Sequence, residues 1–148
     1  MAANLDDVDW AIIDQLQQDA RISLSELGRR VSLSSSATTE RVRQLESRGI
    51  IAGYHAVVDL GKVGYPVLAV VRLKYPGNHH GPLHRLLAER REILECLRTT
   101  GDDCYTLKVA ATSMGHLETL MDELASFGST TTSVVYRQTL PYRGPVQP

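Results

Sequence analysis

A run of small hydroxyl residues followed by arginines at helical spacing is the part of this sequence best suited to chemistry. Leu33-Ser34-Ser35-Ser36 precedes Thr38, Thr39, Arg41 and Arg43, with Arg29 and Arg30 before the run and Arg48 after it. Small side chains at Ser34, Ser35 and Ser36 let a helix start approach a phosphate, where free amides and the helix dipole favour an anion. Thr38, Thr39, Arg41 and Arg43 are expected to project from the solvent face of that helix, where arginine is the common reader of guanine edges in the major groove. Arg29, Arg30 and Arg48 would grip backbone phosphates around it. The competing reading is a three-helix structural or protein-binding module whose arginines form a solvated face.

Enzyme chemistry finds no comparable pattern. The chain has no Ser-His-Asp spacing motif, Walker loop or Rossmann glycine pattern. His79, His80 and His84 are of metal-ligating type, but they fall in a Gly- and Pro-rich loop and a helix start with no thiol nearby. No metal or other cofactor is expected there. Cys96 and Cys104 make no disulfide framework and read as reduced thiols of a cytoplasmic protein, Cys96 buried and Cys104 exposed. Their expected place on adjacent strands leaves a regulatory disulfide as the alternative.

These residues need elements to hold them. A length of 148 residues allows one ordinary domain or two small ones. No apolar run approaches the length of a membrane span, and the acidic stretch at residues 1–9 lacks the apolar core of a secretory signal. Leu5, Val8, Ile12 and Leu16 give a first helical face, capped by Asp6 or Asp7. Ser23 opens a second helix with Glu26 as capping-box partner and Leu24, Leu27 and Val31 as its stripe. A third follows the serines, with Ala37, Thr38, Val42 and Leu45 inward, and stops at Gly49. Two helices joined by a short turn, the second behind small hydroxyl residues, is a helix-turn-helix layout.

Beyond residue 52 the stripes become strand-like. Residues 55–58 read as a short strand and 59–66 as a connection. Strands are expected at 67–75, 95–100, 105–111 and 131–139, with helices carrying Leu83, Leu86, Leu87 and Leu94, then Met114, Leu117, Leu120, Met121 and Leu124. Strand, helix, strand, strand, helix, strand is the split βαβ order of a ferredoxin-like fold. Both helices then lie on one face of an antiparallel sheet. The other face carries enough apolar residues to predict self-association. The class is α+β, with residues 1–53 the helix-turn-helix domain, 54–64 a hinge strand and linker, and 65–148 the ferredoxin-like domain.

Glu40-Arg41-Val42-Arg43-Gln44-Leu45-Glu46 with Gly49-Ile50-Ile51-Ala52-Gly53-Tyr54 resembles the Lrp/AsnC family of feast/famine transcription regulators. Leu5-Asp6-Asp7-Val8-Asp9, Asp19-Ala20-Arg21-Ile22-Ser23 and Thr100-Gly101-Asp102 with Tyr105 and Lys108 extend the resemblance over nearly the whole chain. It implies a winged helix-turn-helix on double-stranded DNA, with pseudo-palindromic sites, and a ferredoxin-like domain that senses an amino acid or related small molecule. It further implies homodimers formed through the sheet, assembling to an octamer, with residues 54–58 as the hinge strand. The effector would sit at the loop of Thr100, Gly101, Asp102, Asp103, Cys104 and Tyr105, its carboxylate on loop amides and its ammonium group on a carboxylate. Relatives usually carry an aromatic residue and then Asp where this chain has Asp103 and Cys104. The acid has moved one position, which on a strand means the opposite face, so Asp102 or Asp103 is expected to take over the ammonium group. The altered loop keeps open an architectural DNA-binding protein with no effector. Some haem-pathway decarboxylases are similar to the family in both domains, which gives an enzymatic alternative.

A formal charge of −1 does not exclude a polyanion partner. Residues 29–48 hold five arginines against Glu40 and Glu46, a local net of +3. An oligomer would repeat that patch, so a modest single-module affinity would be raised by multivalency.

Overall fold

The computed structural model describes residues 4–148; residues 1–3, the first of the stretch read as lacking a secretory signal, lie outside it. The chain forms two compact units, one made of residues up to Val57 together with Leu140–Pro148, the other of Val58–Thr139. Among the described residues no helix is long and apolar enough to cross a membrane.

The first unit holds α1 (Asp7–Gln18), α2 (Leu24–Arg30) and α3 (Ser35–Ser47). Asp6 caps α1 by accepting from the Asp9 amide at 2.8 Å, and the Asp9 carboxylate accepts from the Asp6 amide in return. Ser23 and Ser34 cap α2 and α3 in the same way, each hydroxyl accepting an amide at 3.2 Å. The reciprocal half of the box at α2 is missing, because the Glu26 side chain turns to Arg29 and Arg30. Ile12, Leu27, Val42 and Leu45 form the core, with Leu5, Val8, Leu16 and Ile22 among the residues packed around them. Full burial of each such aliphatic side chain stabilises by about 1.5–3 kcal/mol, so this small core can hold three short helices that would not persist alone. Ser32 takes a left-handed turn (φ 58°) between α2 and α3.

Two expectations for this part of the chain change. Residues 55–58 pair with no strand among the described residues, and Val57 is 99% exposed. A lone strand has no ladder to join within one chain, so its amides and carbonyls have no backbone partner among the described residues. Leu140–Pro148, expected with the ferredoxin-like domain, groups with α1 instead. Pro141, Pro145 and Pro148 lack the amides a further strand would need. The tail is tied by the Gln17 amide donating to the Pro145 carbonyl and the Gln147 amide donating to Asp7, both at 3.1 Å.

The second unit runs β1 (Val67–Lys74), α4 (Gly81–Glu89), β2 (Ile93–Arg98), β3 (Tyr105–Ala111), α5 (Met114–Ala125) and β4 (Ser129–Val134). The strands form one antiparallel sheet in the order β2-β3-β1-β4, the ferredoxin-like arrangement. Ala69, Val71 and Leu73 of β1 meet Tyr105, Leu107 and Val109 of β3 on the buried face, under Leu83 of α4 and Leu117, Leu120 and Leu124 of α5. Leu94 and Met114, expected in the helical stripes, are 46% and 57% exposed. β4 starts and stops earlier than its β-branched run suggests. Gly128 brings the chain onto the end of β1, where a Cβ would collide with the Lys74 carbonyl oxygen, and Ser129 pairs with Lys74. Pairing ends after the Val135 amide reaches the Leu68 carbonyl, because β1 begins just beyond Pro66.

The sheet face away from the helices is divided. Leu68, Val70 and Ala110 lie at one end and Arg72 and Lys74 at the other, with Thr106, Lys108, Thr131 and Ser133 between and beside them. Val70 and Leu97 on that face are 37% and 52% exposed. The alternation along β1 dictates this division, apolar at one end and charged at the other.

Candidate nucleic-acid interface and ligand loop

The residues expected to touch DNA separate into three groups once α3 is built. Thr38 is fully buried, and its hydroxyl donates to the Ser34 carbonyl at 2.9 Å. It therefore has no surface to offer a base, contrary to expectation. Thr39 is half-buried and donates to the Ser35 carbonyl at 2.8 Å. Ser34 is committed to the helix cap and lies 3.1 Å from the Ser36 hydroxyl, while Ser35 and Ser36 are exposed at the first turn.

Arg41 also departs from expectation. Its Nη1 donates to Asp6 at 2.7 Å and to Asp9 at 2.8 Å, so it clamps α3 to the cap of α1 instead of projecting outward. Asp9 is only 9% exposed, so loss of this partner would leave a buried carboxylate without its cation. The Asp9 amide, and then Arg41, hold the Asp6 carboxyl below its usual range, and the two acids raise Arg41 in turn.

Arg43 is exposed and makes no ion pair among the described residues. It shares a face with Ser36, Glu40 and Ser47, following the helical three-to-four spacing. Beside Arg43, the Gln44 side-chain amide donates to Glu40 at 3.0 Å on the exposed side, a pair not foreseen as part of this surface. Their i, i+4 spacing was the available signal.

Arg29 and Arg30 both reach Glu26, at 2.7 and 2.9 Å, and Arg30 also donates to Gln15. Arg48 donates to the Asn4 carbonyl at 3.3 Å. The local excess of positive charge counted along the sequence is thus reduced in space. Asp6 and Asp9, both outside the counted window, pair with Arg41, and Glu26, also outside it, is shared by Arg29 and Arg30. Behind α3, the Tyr54 hydroxyl donates to Glu46 at 2.9 Å, and burial, then Glu46, push its pKa up to about 12.

Glu26 makes the first unit acid-sensitive. The two arginine hydrogen bonds hold its pKa at about 2. With the unfolded carboxyl near its ordinary value of 4.5, the stabilisation is complete above that pH and is lost as pH falls towards 2. Glu26→Gln should flatten this part of the acid limb in thermal melts recorded from pH 6 to pH 2. An unchanged limb would show that Glu26 contributes nothing to it.

The loop expected to hold an effector divides between two surroundings. Thr100, Gly101 and Asp102 form an exposed tip, and Gly101 takes φ 101°, a conformation that favours glycine. The Thr99 amide donates to the Cys104 carbonyl at 3.0 Å, and its hydroxyl donates to the Asp103 carbonyl at 2.7 Å. The Asp103 carboxylate lies 3.6 Å from Arg72 on the sheet face away from the helices. Cys104 points the other way and is not exposed as expected; its Sγ accepts the Tyr75 amide at 3.2 Å. Tyr105 is 2% exposed and reaches away from the tip, its hydroxyl 2.9 Å from His80 Nδ1 and 3.3 Å from His84 Nε2. Among the described residues no group of three or more His, Cys, Asp or Glu side chains is placed to hold a metal.

Comparison with known proteins covers both units. Residues 5–46 match the AsnC-type helix-turn-helix domain, and residues 68–145 match the Lrp/AsnC ligand binding domain. The HTH-type transcriptional regulator LrpC of Bacillus subtilis is 37% identical over 134 residues, spanning 90% of this chain and 93% of that protein. The solved structure of B. subtilis LrpC superposes with a TM-score of 0.89 at 35% identity, covering 95% of this chain and all of that one (100%). The feast or famine regulatory protein of M. tuberculosis complexed with L-methionine superposes with a TM-score of 0.90 at 30% identity, covering 97% of this chain and 100% of that chain.

Proposed function

This chain belongs to the Lrp/AsnC family of transcriptional regulators, and from that premise we propose that it reads double-stranded DNA with α3 and adjusts that binding to an amino acid held at the 100–102 loop tip. The relatives are transcription regulators and not enzymes, so the decarboxylase alternative is set aside. The observation that carries the DNA reading is Arg43, exposed on α3 behind a serine-capped first turn and without an ion-pair partner among the described residues. Arginine in that setting can take guanine O6 and N7 together. Ser35 and Ser36 at the helix start suit a phosphate, and Arg29, Arg30 and Arg48 lie on the surface to position the backbone.

The effector reading rests on chemistry at the tip. Asp102 is exposed and makes no ion pair among the described residues, whereas Asp103 is engaged with Arg72. Asp102 therefore takes the ammonium group, and amides around Gly101 take the carboxylate. A relative of the same fold is complexed with L-methionine, which supports an amino acid as the class. Self-association into a homodimer, with assembly to an octamer, would cover Val70 and Leu97 and supply a partner for residues 54–58. Its two-fold symmetry would match pseudo-palindromic sites. A regulator of this kind works in the cytoplasm, where the DNA is.

Footprinting on the DNA upstream of its own gene, with and without a panel of amino acids, tests the reading. A protected site that changes with one amino acid is expected, and Asp102→Ala should weaken that amino acid at least tenfold in calorimetry. A site indifferent to every amino acid would leave the effector-independent architectural protein. No protected site at all would overturn the DNA reading.

A further inference from the structure

A second concave site, an open groove beside α4, lies at the base of the β2–β3 hairpin on its helix-facing side. His84, Leu87, Cys96, Arg98 and Tyr105 line a cavity of about 360 Å³ between α4 and the β2–β3 pair, large enough for a small metabolite. Leu87 and Cys96 make its apolar side. Its polar groups are linked: Tyr105 joins His80 and His84, and Arg98 Nη2 stands 3.3 Å from His80 Nε2. The Tyr75 hydroxyl donates to the His79 carbonyl at 2.7 Å, which fixes the loop carrying these histidines. Rings of Tyr75, His80, His84 and Tyr105 pack with centroids 5.1–6.4 Å apart, so the groups are held in place before any ligand arrives.

The charge of this cavity is one-sided. Arg98 makes no ion pair among the described residues, and no carboxylate lines the cavity. His80 is kept below the usual histidine range by burial first and then by Arg98, His84 and His79. An extra proton is therefore unwelcome, while an anion would relieve the repulsion. A free amino acid fits badly, because its ammonium group would enter a positive site with no acid to receive it. Replacing the ammonium-bearing carbon by a carbonyl removes that charge and adds an acceptor for the donors already present.

We propose that this cavity binds a short aliphatic 2-oxo acid, its carboxylate on Arg98, its oxo group facing His84 and Tyr105, and its alkyl tail against Leu87 and Cys96. The groove uses side chains at the base of the hairpin and none of the tip residues 100–102, so it does not depend on the amino-acid reading at the tip. Two sites of this kind would let one regulator register an amino acid and its deaminated counterpart.

Calorimetry on the full-length protein with 4-methyl-2-oxopentanoate, 4-methylpentanoate and L-leucine tests this. The oxo acid should bind more tightly than the acid lacking the oxo group. Arg98→Gln, a change at an exposed side chain, should weaken the oxo acid at least tenfold, whereas Asp102→Ala should leave it unchanged. Oxo-acid binding should also shift the His80 and His84 ring resonances. No binding, binding unaffected by Arg98→Gln, or loss of binding in Asp102→Ala would each overturn the proposal. So would L-leucine binding equally well and being lost in Arg98→Gln.

Discussion

Arg43→Ala should weaken binding to the specific DNA site by about 1–3 kcal/mol, roughly 5- to 150-fold, and relax the preference at the base pair it reads. Thermal unfolding should not move, because the Arg43 side chain is exposed and holds no other element in place. Arg41→Ala, two residues earlier, should behave in the opposite order. It removes two short charge-assisted hydrogen bonds and leaves the 9%-exposed Asp9 without its cation. The first unit should then melt at lower temperature, with DNA affinity falling only as far as the folded fraction falls. Paired measurements of melting temperature and DNA affinity separate the two roles. Equal losses of affinity at unchanged stability would make both residues readers and refute the clamp. A stability loss in Arg43→Ala would show that the exposed arginine supports the fold after all.

That contrast marks where the sequence could and could not be read. Burial follows spacing, so the stripes through Ile12, Leu27, Val42 and Leu45, and those of β1 and β3, were legible before any coordinates. The cap at Ser23 was legible for a similar reason, as was the choice between Asp6 and Asp7 for α1, since a cap is a local hydrogen bond with a fixed offset. Arg41 was not, because its partners are 32 and 35 residues away and only the crossing of α1 and α3 brings them together. Charge counted along a window misses such partners. Thr38 belongs to both classes: its spacing put it on the inward face, yet its hydroxyl made it attractive as a DNA contact, and burial decides.

The loop at residues 100–105 followed the same division. The turn and its glycine were legible, and so was the change of face between Asp103 and Cys104. Unread was the company each face keeps: Arg72 beside Asp103, and the Tyr75 amide beside Cys104. The histidines, of metal-ligating type but with no metal expected, belong with Tyr105, which arrives from a different strand. Tertiary structure gives them a phenol to hydrogen-bond and an arginine to face.

Gly28→Val should destabilise the helix-turn-helix at the crossing of α2 and α3. A Cβ at residue 28 would lie 2.8 Å from both the Leu33 carbonyl oxygen and the Thr38 hydroxyl. The glycine amide is otherwise ordinary, so the requirement is closeness of α2 to the start of α3. The Leu33 carbonyl is backbone, fixed on one side by the Ser32 turn and on the other by the Ser34 cap, and cannot retreat alone. The Thr38 hydroxyl can rotate only by leaving the Ser34 carbonyl, which would bury it unsatisfied. Overpacking of this kind costs about 1–3 kcal/mol, and the small helix-propensity gain over glycine offsets only a fraction of it. DNA affinity should fall with stability, since any relief tilts α3 against α2. Alanine at residue 28 is less bulky and gains about 0.8–1.0 kcal/mol of helix propensity, so it should be milder. Thr38→Ala in the Gly28→Ala background removes one of the two clashes, and chemical denaturation should show the pair less destabilised than the sum of the single changes. Strict additivity would mean that residues 28 and 38 do not compete for the same space, and the close approach of α2 to α3 would not be what the glycine provides.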